Sequence, residues 1–164
     1  MREIILVAHN IRSTHNVGSL FRTADGLGVS KLILSGYTPY PLLPDDDRLP
    51  HLSAKLTKQI DKTALGAVDS MAWEKTEDIT QTLNALRKQG YTLYALEQTN
   101  KSINLADCLP ADKSVVIVGA EVEGLPATIT DICDQCLQIP MHGKKESFNV
   151  AVAAGIALYS LRYR

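Results

Sequence analysis

Three short stretches concentrate the side chains that could hold or activate a ligand. The first, HNIRSTHNVGSLFRTADG, carries Asn10, Arg12, Asn16, Gly18, Arg22 and Thr23 directly after an apolar run. Asn16 and Gly18 suit a turn that opens a helix, which would project Arg22 from the first or second helical turn. A guanidinium there sets a fork-shaped donor beside free backbone N–H groups, a site for one phosphate; the plainer reading of Arg22 is a surface ion pair. The second stretch, GAEVEG at 119–124, follows a strand signal and precedes a helix signal. It lacks the central glycine of a dinucleotide fingerprint, and Glu121 and Glu123 stand where a pyrophosphate would lie, so it suits a ligand without phosphates. The third, IPMHGKKESFNVAVAAGIALY, breaks a strand at Pro140 and then runs through a polar loop. Ser147 is a natural N-cap for the helix that follows, with Asn149 inside its first turn. In the plainer reading Ser147 is only a cap and Asn149 only a loop-anchoring amide.

Other candidate motifs carry less. Cys133 and Cys136 have CxxC spacing, but zinc would need a second ligand pair, and a redox pair should open a helix after a strand rather than close one. The pair reads as structural. His9, His15, His51 and His142 have no metal-ligand spacing, so no metal is expected, and no GxSxG elbow is present. Gly26 and Gly28 sit late in a helix signal and read as its end.

These residues need elements to position them. β-branched and apolar runs predict strands at 4–8, 31–35, 91–96, 114–118 and, briefly, 137–139. Between them helices are predicted near 16–27, 53–62, 77–89 and 127–133, with a last one over 147–161. Such alternation gives an α/β domain with a mainly parallel, buried sheet flanked by helices. The stretch 36–51 holds Pro39, Pro41, Pro44, Pro50 and the acids Asp45, Asp46 and Asp47. It reads as a mobile, substrate-facing flap.

A chain of 164 residues is the size of one domain and buries about 69% of its unfolded surface, enough for a core without staples. Hydrophobic residues at 45% and charged residues at 21% exclude disorder, collagen and a coiled coil. The longest mainly apolar stretch, 150–158, is half of a membrane span, and the N-terminal run reads as a first strand rather than a signal peptide. A net charge of −1 argues against an extended nucleic-acid coat but leaves room for a local basic patch. Three cysteines, an odd and low number, point to the cytoplasm.

Taken in order, NVGSLFRTAD, VGAEVEGLP and IPMHGKKESFNVAVA resemble the three motifs of the SpoU/TrmH family, RNA ribose 2′-O-methyltransferases of the SPOUT superfamily. The resemblance runs from about residue 9 to residue 159. It implies one SPOUT-type domain over 1–164 whose C-terminal segment threads a loop to make a trefoil knot; many members also carry an N-terminal RNA-binding domain, and this chain is read as departing from them in having no separate one. Periodicity alone gives an unknotted doubly wound sheet. The resemblance further implies S-adenosyl-L-methionine as cofactor, and a homodimer whose active site is completed across the interface. By position, Leu96, Gly119, Ile139, Met141, Ser147 and Phe148 would line the cofactor pocket; Arg22, Asn16, Glu121, Asn149 and Ser147 would form or support the catalytic site. Where the family usually reads SLNVS this chain has SFNVA, so Phe148 adds bulk and Ala151 lacks a hydroxyl.

RNA is the implied substrate, tRNA ahead of rRNA, with no membrane partner. Its capture falls to Arg12, Arg22, Lys31, Lys144, Lys145, Arg162 and Arg164, doubled in a dimer or assisted by a helper protein. Two other readings stand beside this one. The chain could methylate a base or a non-RNA acceptor, or it could be a SPOUT cofactor- and RNA-binding module without catalysis.

Overall fold

The computed structural model describes residues 2–164. In chain order the first half forms β1 (Glu3–His9), α1 (Thr14–Gly26), β2 (Lys31–Ser35), α2 (Pro50–Ala64), α3 (Ala67–Ser70), β3 (Trp73–Thr76) and α4 (Ile79–Lys88). The second half forms β4 (Thr92–Leu96), β5 (Ile103–Asn104), a 3-10 turn (Leu105–Asp107), β6 (Lys113–Val118), α5 (Ala127–Thr130), β7 (Gln135–Gln138) and α6 (Val150–Tyr163).

The seven strands make one sheet in the order β3-β2-β1-β6-β4-β7-β5, parallel at every pairing. β1 and β6 lie centrally and bury every residue after their first, which is why their sequences are unbroken apolar runs. Alternate side chains serve two cores. Ile4, Leu6 and Ala8 pack with Phe21 of α1, Ile60 of α2 and Leu158 of α6, whereas Ile5 and Val7 pack with Leu83 of α4 and Ile129 of α5. This is the mixed α/β, mainly parallel architecture that the sequence predicts.

Two strands escape the sequence patterns. β3 reads WEKT and is only half-buried at the sheet edge; β5 has two residues. The helix expected over 127–133 is a single turn. The proline-rich stretch is braced rather than loose: Arg48 donates to the carbonyls of Tyr40 and Pro41, each at 3.0 Å, and pairs with Asp46. That pairing holds the Asp46 carboxyl well below its usual range.

The start of α1 also differs from expectation. Ser13 is the N-cap, its hydroxyl accepting from the Asn16 amide at 3.2 Å. Gly18 is therefore helical, and its role is packing. A Cβ there would fall 2.1 Å from Thr63 Oγ1 and 2.2 Å from the Ile60 carbonyl, so glycine lets α2 lie directly on α1. Arg22 stands in the third turn of α1, away from the free N–H groups at its start. The phosphate site expected from Arg22 and a helix N-terminus is thus not formed.

Candidate functional site

In open parallel sheets ligands bind beyond the carboxyl ends of the strands. Here the ends of β4, β6 and β7 converge on a cavity of about 260 Å³, closed by the segments that lead out of each strand. Leu96, Gly119, Ile139, Ser147 and Phe148 line it, and so does Glu121. Met141 does not line the cavity.

The loop from β6 is closed by glycine. A Cβ on Gly119 would fall 2.7 Å from the Gly124 carbonyl, and Gly124 itself has a φ of +66°. The Gly124 amide donates to the Ala120 carbonyl at 2.9 Å, making a tight turn that presents Glu121 and Glu123. Glu97, the residue after β4, pins this loop: its Oε2 accepts from the Leu125 amide at 2.8 Å. Gln98 pins the other wall, donating from Nε2 to the Glu146 carbonyl at 3.0 Å. Sequence reasoning missed both, although their place at the end of a buried strand was a usable signal.

The expected catalytic residues divide into a connected group and an outlier. Asn16 Nδ2 donates to Glu121 Oε1 at 2.6 Å, and Asn149 Nδ2 donates to Asn16 Oδ1 at 3.1 Å. Asn149 Oδ1 in turn accepts from the Ala151 amide at 2.9 Å, so Asn149 is the N-cap of α6 rather than a residue of its first turn. Ser147, expected as that cap, lies two residues earlier on the cavity wall and caps nothing. Arg22 is the outlier: exposed on α1, it lines a separate groove with His15, Ser19 and Lys62.

The cavity is acidic. Glu97, Glu121, Glu123 and Glu146 all line it, against apolar walls from Val118, Leu137 and Ile139. Arg12 reaches Glu123 at 3.3 Å while lying over the Tyr37 ring; Tyr37, then Glu123, raises its pKa. Several cations expected to meet RNA are engaged elsewhere. Lys31 pairs with Glu74 at 3.1 Å, and Arg162 is buried, donating to the Gly28 carbonyl at 2.6 Å. Arg164 donates to the Ala106 carbonyl. Burial pushes the Cys133 thiol up to about 12, the reverse of what a reactive thiol needs. Among the described residues no His, Cys, Asp and Glu side chains group as a metal site.

Comparison with known proteins adds four findings. Residues 47–159 match the model of the SpoU rRNA Methylase family. The chain is 30% identical over 97% of its length to the 23S rRNA (guanosine-2′-O-)-methyltransferase RlmB of Neisseria meningitidis serogroup B, and covers 58% of that protein. It is 29% identical over 96% of its length to the tRNA (guanosine(18)-2′-O)-methyltransferase of Aquifex aeolicus, covering 68% of it. Among solved structures, an AdoMet-bound rRNA methyltransferase from Sinorhizobium meliloti superposes on 99% of this chain and 57% of its own with a TM-score of 0.83 at 23% identity, a likeness of fold.

Proposed function

The chain belongs to the SpoU rRNA methylase family, and from that premise we propose that it is an S-adenosylmethionine-dependent methyltransferase acting on a ribose 2′-hydroxyl of RNA. The observation that carries this reading is the cavity at the ends of β4, β6 and β7, whose walls match the cofactor's chemistry. Leu96, Val118, Leu137 and Ile139 offer apolar surface to an adenine and ribose, and the carboxylates of Glu97, Glu121, Glu123 and Glu146 favour a sulfonium and an ammonium over a phosphate. When bound, S-adenosylmethionine supplies an electrophilic methyl group.

The residues of the chain then have to hold the ribose oxygen in line with that methyl, and such alignment accounts for much of the rate. Asn16, bonded to Asn149 and to Glu121 of the cavity wall, would take that part. Ser147 and Phe148 shape the pocket wall. Arg22 grips the target's phosphate bidentately, and the 2′-hydroxyl proton leaves to that phosphate or to water, because a guanidinium stays protonated.

Arg22 lies outside its own chain's cavity, and this supports a homodimer in which each copy supplies it to the other's site. An exposed stripe on α6, Val152, Ile156, Tyr159 and Tyr163, offers an apolar face for the second copy. The loops at 119–125 and 139–149 lie against the same strand end, in keeping with a trefoil knot between them. We take residues 1–164 as one methyltransferase domain working in the cytoplasm; no helix among the described residues is long and apolar enough to cross a membrane. tRNA stands ahead of rRNA as substrate, with a helper protein for RNA capture as a further element.

Calorimetry with S-adenosylhomocysteine, followed by tritium-methyl transfer to bulk tRNA and rRNA, tests the reading. Binding with label in one RNA pool is the expected result. Binding without transfer to either pool would reduce the chain to a cofactor-binding module, and no binding would remove the methyltransferase reading altogether.

A further inference from the structure

α2 carries His51, Lys55, Lys58 and Lys62 at successive spacings of four, three and four residues. At about 100° per residue they fall within about 60° of one another around the helix, and recur roughly every 5–6 Å along it. The stripe is opposite the face that α2 buries through Ser53, Ile60 and Ala64. All four residues are exposed, and among the described residues none takes part in an ion pair. The one carboxylate on the helix, Asp61, is turned about 90° from the middle of the stripe.

The C-terminal end of the stripe opens into the groove where Lys62 of α2 meets Arg22 and His15 of α1, a groove whose lining contains no carboxylate. The two helices are tied together there. Gly18 lets α2 approach closely, and Thr63 Oγ1 donates to the His15 carbonyl at 2.8 Å. Arg12, Lys31, Arg48, Lys75, Arg87 and Lys113, by contrast, each reach a carboxylate. In a chain of net charge −1 the three lysines make this face a row of unpaired positive charge leading to Arg22.

We propose that the α2 stripe is the track on which the RNA backbone docks, delivering successive phosphates toward Arg22. The inference rests on the RNA methyltransferase reading and names the surface that reading leaves unassigned. A regular row of unpaired lysines on a rigid helix recognises phosphodiesters without regard to sequence, by displacing their counterions.

The triple variant Lys55→Gln, Lys58→Gln, Lys62→Gln tests it, with bulk tRNA as probe and binding followed at several salt concentrations. The variant should bind tRNA about 10- to 100-fold more weakly, and its salt slope should fall by about 2 to 3, roughly one for each phosphate that is no longer neutralised. Its melting temperature and its affinity for S-adenosylhomocysteine should match the wild type, since all three side chains are exposed and outside the cavity. A variant that binds tRNA with wild-type affinity and slope, while the wild type methylates RNA, overturns the track alone and leaves the face to an acidic protein. A wild-type chain that neither binds nor methylates RNA overturns the track and the methyltransferase reading together.

Discussion

Asn149 donates to Asn16 across 133 residues of sequence, and the same Asn149 side chain caps α6 while Asn16 donates to Glu121. One amide therefore fixes the start of a helix and the orientation of a second amide that bonds Glu121 of the cavity wall. Asn149→Ala should cost about 1 kcal/mol through the missing cap. Asn16→Ala should cost about 1–3 kcal/mol, because its bond to a carboxylate is charge-assisted. The two effects should not add: in a double-mutant cycle by chemical denaturation the pair should show a coupling of at least about 0.5 kcal/mol. Additive effects would mean that the two amides act separately.

Glu97 should govern cofactor affinity without being the residue that meets the RNA. Its carboxylate accepts from the Leu125 amide and, through Oε1, from the adjacent Gln98 amide at 2.9 Å, so it fixes the loop at 119–125 to the segment that leaves β4. Glu97→Ala should weaken S-adenosylhomocysteine binding by about 10- to 100-fold, the value of one to two charge-assisted bonds. Calorimetry would read this directly, and an unchanged affinity would show that the loop at 119–125 holds its shape by its glycine turn alone.

His9 should make the fold sensitive to acid. It is buried at the end of β1, with Nδ1 2.9 Å from Ser35 Oγ, and burial lowers its pKa from the ordinary 6.5. The unfolded chain takes up a proton near pH 6.5 that the folded chain resists. Its stabilising contribution is complete above that value and is lost as the pH falls below it. Thermal melting from pH 7.5 down to pH 5 should therefore show a declining midpoint, and His9→Gln should flatten that decline. Identical pH profiles for the two proteins would assign the acid sensitivity elsewhere.

The parts of the fold that could be read from sequence were those whose burial is two-sided. Residues 4–8 and 114–118 are unbroken apolar runs because both faces of β1 and β6 are covered. Trp73–Thr76 escaped because an edge strand tolerates Glu74 and Lys75, which erase the pattern. The error over Arg22 was one of phase: Ser13, a good cap, starts α1 two residues before Asn16 and puts Arg22 in the third turn rather than the first or second. At the site, residue types pointed to Asn16, Glu121 and Asn149 through resemblance, but not to their mutual bonds, which join segments 105 and 133 residues apart. The lysine stripe of α2 was readable from its spacing and was hidden by the near-zero net charge of the whole chain.

The sheet is parallel at every pairing, and that has a kinetic consequence. No two neighbouring strands are joined by a hairpin, so no pair can form early from residues close in sequence. Each pairing waits for a crossover to close, and the entropy of closure is spent before any strand pairing compensates it. A chain built this way is expected to refold slowly. Its ligand cavity, walled by the ends of three strands and the start of α6, requires their crossovers to have closed, so cofactor binding should serve as a clock for the completed fold.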